Sequence, residues 1–287
     1  MTEVFRDLPL LRSASAHLLR MSCVRVEAYV FSATTGRSGS LTLANVLESL
    51  QDAVVFHEPD PIMHSRHLSG ADRRASLDEL FWRRKRIEVH RAARGRRYYV
   101  ETNHQFIKGF ADQAAAWFGS RLRVVHLRRD PVSVAASFYR MSSIPGRPRR
   151  GSLWLLDPRS DENLIQLGEV LFGGGEFGHD YYKCLWYWYE TEARVRHFRD
   201  RFPTVPVQSI GTSDLNDLAK VRGLLQGLGL AYDEAALVGR VGQRHNEKSH
   251  DVQNLLPREE AERMAAGFRQ LLSERFDTRW DALGSPP

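Results

Sequence analysis

Ala33-Thr34-Thr35-Gly36-Arg37-Ser38-Gly39-Ser40 separates two segments of opposite periodicity. Before it, residues 24–32 are rich in Val, Tyr and Phe and read as a strand. After it, Leu43, Val46, Leu47 and Leu50 recur at helical spacing across residues 41–50. A strand, a Gly/Ser loop and a helix, in that order, open a nucleotide-binding α/β domain. Backbone N–H groups of residues 36–41, at the start of a helix, make a nest for an anion with the helix dipole behind it. Gly36 and Gly39 admit a phosphate close to the backbone, and Ser38, Ser40 and Thr42 add hydroxyl donors. The loop is not a Walker A sequence: Arg37 precedes the second glycine and no Gly-Lys-Ser/Thr follows. An ATP-hydrolysing P-loop is therefore disfavoured. Taken alone, the stretch also fits an ordinary βα turn.

Working outward, residues 53–56, 98–102, 122–127 and 205–210 read as further short apolar strands. They are spaced by helical stretches at 69–97, 132–140 and 182–202. Pro131 directly after Asp130, a candidate N-cap, marks a helix start. Strands alternating with helices predict right-handed βαβ crossovers and a three-layer α/β/α fold on a central parallel sheet. Residues 1–22 predict an N-terminal arm or helix, and 1–287 one domain. Residues 141–180 carry Pro145, Gly146, Pro148 and a Gly173-Gly174-Gly175 run. So long a connection is expected to be a functional lid over the site.

Composition narrows the class. Of 287 residues, 42% are apolar and 26% charged, which excludes fibrous and wholly disordered chains. Net charge is +6, and only five of the 41 basic residues are lysines, leaving 36 arginines. An arginine excess suits planar, bidentate contacts to an anionic partner, and equally a genomic composition bias. Two cysteines, Cys23 and Cys184, make no disulfide framework and are expected to be buried and inert. The sequence has neither a zinc-spaced Cys/His cluster, nor an apolar run long enough for a membrane span, nor an N-terminal secretory pattern. A soluble cytoplasmic protein is the expectation. The runs Arg83–Lys85 with Arg86, and Arg94, Arg96 and Arg97, are expected to be solvated helix faces. The aromatics Tyr182, Trp186, Tyr187, Trp188 and Tyr189 are expected in the core.

A second motif lies at Arg128-Arg129-Asp130-Pro131, a strand end running into a helix that carries Ser137. Arg129 and Ser137 would address one phosphate if both face the same crevice. Together the two motifs resemble the sulfotransferases that use 3′-phosphoadenylyl sulfate (PAPS). The resemblance runs from about Val24 to Lys248 and implies the P-loop-like sulfotransferase fold and transfer of a sulfuryl group, without a metal, to an acceptor hydroxyl. It assigns Gly36, Arg37, Ser38, Gly39, Ser40, Leu41 and Thr42 to the 5′-phosphosulfate. It assigns Arg129 and Ser137 to the 3′-phosphate, and makes adenosine 3′,5′-bisphosphate (PAP) the spent product. Leu41 departs from the hydroxyl residue of many relatives. Arg37 would stabilise the leaving phosphate.

For the base the resemblance leaves two residues open: His104, after the strand at 98–102, and Glu58, in His57-Glu58-Pro59, with His57 behind them. Arg244 and Lys248 would return over the 3′-phosphate, although an exposed charged turn explains that cluster as well. The expected acceptor is a glycan or small molecule, with nucleic acid not expected and oligomeric state unreadable. Rival readings are a kinase-like phosphotransferase, which lacks its Walker lysine here, and an Arg-rich polyanion binder, which lacks any nucleic-acid-binding signature.

Overall fold

Alternation of side chains across a pleat builds the centre of the molecule. In the computed structural model, which describes residues 24–64, 73–243 and 254–276, the first strand is β1, Ala28–Ala33. Tyr29, Phe31 and Ala33 enter one apolar core, while Ala28 and Val30 enter another on the opposite face. The strand is buried along its whole length, as a parallel strand covered on both faces must be. It pairs in parallel with β3 (Tyr98–Thr102) on one side and β4 (Leu122–Arg128) on the other. Strands β2 (Ala53–His57) and β5 (Val207–Gly211) complete a five-stranded sheet of order β2-β3-β1-β4-β5, parallel throughout. The expected three-layer α/β/α architecture is the observed one.

Strands β1, β2 and β4 are followed by the helices the sequence predicts, whereas the helices Ala111–Phe118 after β3 and Leu218–Gly227 after β5 lie outside the predicted helical stretches. Helix α1, Ser40–Leu47, leaves the Gly36 loop and packs Leu43, Val46 and Leu47 into the core beneath Ala28 and Val30. The charged stretch divides into α2 (Arg73–Leu80) and α3 (Arg86–Ala93), joined by a π-helical turn at Phe81–Lys85. A second π-helical turn, Phe106–Phe110, leads into α4 (Ala111–Phe118). Helix α5 is Pro131–Arg140, and its Asp130 N-cap accepts from the Ser133 N–H at 2.7 Å. Strand β1 begins four residues later than expected, because residues 24–27 run ahead of the ladder.

Residues 141–180, expected to be an irregular lid, fold into short helices α6 (Arg150–Trp154) and α7 (Gly168–Phe172) around a third apolar core. Ile144, Leu155, Leu156, Ile165, Leu167 and Leu171 are buried there against α8 (Asp180–Arg201) and a C-terminal helix, Arg258–Arg275. The buried carboxylate of Glu190 accepts the N–H groups of Leu164 and Ile165 at 3.1 and 2.8 Å, which fixes the segment to α8. Among the described residues no helix is long and apolar enough to cross a membrane. Residues 1–22, Cys23, Arg244 and Lys248 lie outside the described residues; Cys184 is buried.

Candidate active site

The sheet order creates a crevice. The chain leaves β1 toward β3 and β2 but leaves β4 toward β5, so the connections diverge beyond the carboxyl ends of these two neighbours. Both sequence motifs sit there. Gly36, Arg37 and Gly39 take left-handed conformations, with φ of 80°, 57° and 84°. That sequence of turns brings the loop sharply into α1. Gly39 is the N-cap and has no side-chain cap, so the first N–H groups of α1 have neither an intrahelical partner nor a capping oxygen. A Cβ on Gly39 would lie 3.1 Å from Thr212 Cγ2, and one on Gly36 would lie 3.4 Å from His104 Cγ.

The motifs are bonded to each other. An Arg129 guanidinium nitrogen donates to the Arg37 carbonyl at 2.9 Å, across 92 residues of sequence. Arg37 Nε donates to Ser137 Oγ at 3.1 Å. Two residues that the resemblance gives to opposite ends of the nucleotide therefore meet in this structure. Among the described residues neither Arg37 nor Arg129 has a carboxylate partner. Burial and the neighbouring Arg129 cation both lower the Arg37 guanidinium from its ordinary value. Among the described residues, positive charge is concentrated here with no carboxylate bonded to either guanidinium.

The aromatic helix α8 holds both motifs by their carbonyls. Tyr187 donates its hydroxyl to the Thr35 carbonyl at 3.0 Å, and Trp188 donates its indole N–H to the Arg129 carbonyl at 2.9 Å. These side chains are buried core, as expected, but their polar ends also fix the site. Thr212, just past β5, donates from Oγ1 within hydrogen-bond distance of both the Ser38 and Arg128 carbonyls, at 2.8 and 2.9 Å.

Beside the loop, the ends of β2 and β3 bring His104 and Glu58 together. His104 Nε2 lies 3.4 Å from Glu58 Oε1. Glu58 has φ of 49°, and with Arg37 it accounts for two of the five described non-glycine residues at positive φ. Such conformations concentrate where geometry is imposed by function. Burial first, then the Lys108 cation and the rings of His57 and His64, hold the His104 imidazole well below its ordinary value of 6.5. It is neutral at pH 7. The His57 ring faces Thr102 Oγ1 at 3.0 Å, on the sheet.

Beneath this pair is a buried ionic cluster that sequence reasoning missed. Lys85, expected on a solvated face, is 1% exposed and pairs with the buried Glu101 at 2.8 Å. Glu101 also accepts from the Tyr99 hydroxyl at 2.6 Å and the Asn103 amide at 2.9 Å. Lys85 reaches the Pro59 carbonyl at 3.2 Å, which ties the Glu58 turn to β3. Lys108, also missed, contacts His104 and Tyr187. Both lysines lie in the π-helical turns, a deviation often found at functional sites. Of the rest of these runs, Arg83, Arg84, Arg94 and Arg96 are exposed, whereas Arg86 and Arg97 are half-buried, Arg86 over the Trp117 ring at 4.5 Å and Arg97 paired with Glu27; Arg94, Arg96 and Arg97 lie in the turn after α3 and not on a helix face. Arg149 and Arg150 are exposed, and Arg147 pairs with Asp180.

No family model and no curated protein matches the sequence. Solved structures do match. The chain is similar in fold to sulfotransferases. A sulfotransferase from Alicyclobacillus acidocaldarius aligns over 91% of this chain and 96% of its own, with 17% identity and a TM-score of 0.46. The sulfotransferase domain of the curacin biosynthetic pathway aligns over 81% and 82%, with 16% identity and a TM-score of 0.46. Retinol dehydratase, solved with androsterone and inactive cofactor PAP, aligns over 93% and 87%, with 11% identity and a TM-score of 0.39.

Proposed function

We propose that this chain is a sulfotransferase that moves the sulfuryl group of PAPS onto an acceptor hydroxyl of a glycan or small molecule. The observation that supports it most is the direct bonding of the two motifs: Arg129 on the Arg37 carbonyl and Arg37 on Ser137. They meet beside an uncapped helix N-terminus and a neutral histidine–carboxylate pair. The donor set fits a nucleotide with phosphates at both ends of its ribose. The first N–H groups of α1, with Ser38, Ser40 and Thr42, would hold the 5′ end, and Arg129 with Ser137 the 3′-phosphate. When bound, PAPS supplies a sulfur electrophile and a phosphate leaving group.

The chain's own part is to bind, orient and move one proton. Glu58 and His104 would receive the acceptor hydroxyl, one of them taking its proton, a contribution of about 10²–10⁴-fold in rate. Arg37 would reach the leaving oxygen only if its guanidinium turns away from Ser137 when nucleotide enters. Trp154, at the end of α6, stands beside His104 with ring centroids 6.0 Å apart. That contact supports a role for residues 141–180 in covering the acceptor.

Calorimetric titration with PAP in metal-free buffer, compared with Mg-ATP, tests this reading. Micromolar binding of PAP and much weaker binding of Mg-ATP is the expected result. Preference for Mg-ATP, or failure of both to bind, would overturn it.

A further inference from the structure

Lys108 sits in the π-helical turn after β3, 8% exposed. Its Nζ lies 2.8 Å from His104 Nδ1, 2.9 Å from the Trp154 carbonyl oxygen and 2.7 Å from the Tyr187 hydroxyl. An ammonium has three N–H donors and no acceptor, so it donates to each. The proton positions around it then follow from the heavy atoms. Tyr187, accepting from Lys108, gives its own proton to the Thr35 carbonyl at 3.0 Å. His104, accepting at Nδ1, carries the single proton of a neutral imidazole on Nε2. That nitrogen faces Glu58 Oε1 at 3.4 Å, the direction in which an N–H has a carboxylate to meet. The Gln105 amide nitrogen is also 3.4 Å from Nε2 and gives one of its two N–H groups to the Trp154 carbonyl at 3.0 Å; with Nδ1 accepting from Lys108, the one ring proton belongs on Nε2, and of the two neighbours only Glu58 can accept it.

We propose that Lys108 is a positioning residue that fixes His104 as its Nε2-protonated tautomer, so that His104 orients Glu58 and Glu58 is the base. This rests on the sulfuryl-transfer reading. With Nδ1 occupied by Lys108 and Nε2 already protonated, His104 has no lone pair to offer an acceptor. Glu58, partly exposed, keeps a second carboxylate oxygen outside this contact. The acceptor O–H bond breaks, its proton passes to Glu58, and its electron pair stays on the acceptor oxygen as the nucleophile. The charged and titratable groups facing His104 are Lys108, Glu58, His57 and His64.

The test is the ¹⁵N–¹H long-range spectrum of the histidine rings in the full, ligand-free chain at pH 7, with His104 identified by its loss in His104→Gln. The expected signature is an unprotonated Nδ1 and a protonated Nε2. It is lost or mixed in Lys108→Met and retained in Glu58→Gln. If Lys108→Met fails to fold, Lys108→Gln, which keeps an N–H donor group, should retain the wild-type signature, and its loss there would overturn the proposal. A protonated Nδ1 in the wild type, or an unchanged tautomer in folded Lys108→Met, would overturn the proposal. PAP affinity, measured in parallel, should change less than threefold in Lys108→Met. Loss of PAP binding in the wild type would defeat the sulfuryl-transfer reading and leave the tautomer result standing.

Discussion

His104 shows how one residue's environment becomes a pH dependence. Its folded value is held well below 6.5 by burial and by Lys108, while in the unfolded chain it titrates near the ordinary value. Between the two, the unfolded state binds the extra proton, so stability falls as pH falls below about 6.5. Wild-type chain should therefore lose stability relative to His104→Gln on acidification from pH 7 to 5, read from urea midpoints at each pH. A constant difference between the two across that range would contradict the buried, neutral ring. At the same scale, the lysines were the legible signal that went unread. In a chain with 36 arginines and five lysines, three of the four described lysines, Lys85, Lys108 and Lys183, are buried. A compact ammonium with three donors fits sites that a planar guanidinium does not. Composition counts the lysines, but only the tertiary structure reveals that Lys85 meets Glu101 from a helix 16 residues earlier in sequence.

Elements were legible where periodicity was strong and caps were present. Asp130 followed by Pro131 predicts the start of α5, and the structure begins that helix at Pro131. Asp130→Ala should cost about 1 kcal/mol by denaturant unfolding, as an N-cap loss does. Gly39→Ala should cost roughly 1–3 kcal/mol, because φ of 84° strains any side chain there and the new Cβ meets Thr212 at 3.1 Å. The π-helical turns were not legible. Residues 81–85 lie inside a stretch read as ordinary helix, and nothing in 81–85 or 106–110 marks the wider turn that Lys85 and Lys108 occupy. Lys85→Met should destabilise by about 3–5 kcal/mol, since it leaves the buried Glu101 carboxylate without its cation. A loss under 1 kcal/mol in the urea-unfolding free energy would show that the pair is not held as described. The segment 141–180 is largely irregular, as its Pro and Gly residues predict, with short helices at 150–154 and 168–172 and its apolar residues scattered between them. Those apolar residues converge only against α8, in three dimensions.

Across the whole molecule, the position of the candidate site follows from strand order. A parallel sheet with β1 between β3 and β4 opens one crevice at its carboxyl edge. The motif at Gly36 and the motif at Arg129 must both end there, however far apart they lie in sequence. That much was readable from the alternation of strands and helices and from two short motifs. The details were not: Arg37 bonds to Ser137, α8 holds both motifs by their carbonyls, and a buried lysine underlies the His104–Glu58 pair. Each of these depends on side chains brought together from distant segments.

We propose that Arg129 and Ser137 form a site for the 3′-phosphate of a nucleotide. The measurement that tests it most directly is the affinity of wild type and Arg129→Ala for PAP and for adenosine 5′-monophosphate, which lacks that phosphate. Loss of a charge-assisted bond should weaken PAP by roughly tenfold to a hundredfold and change the monophosphate by less than about threefold. Equal weakening of both ligands would contradict the claim, since Arg129 would then be sensing the nucleotide without distinguishing its 3′ end.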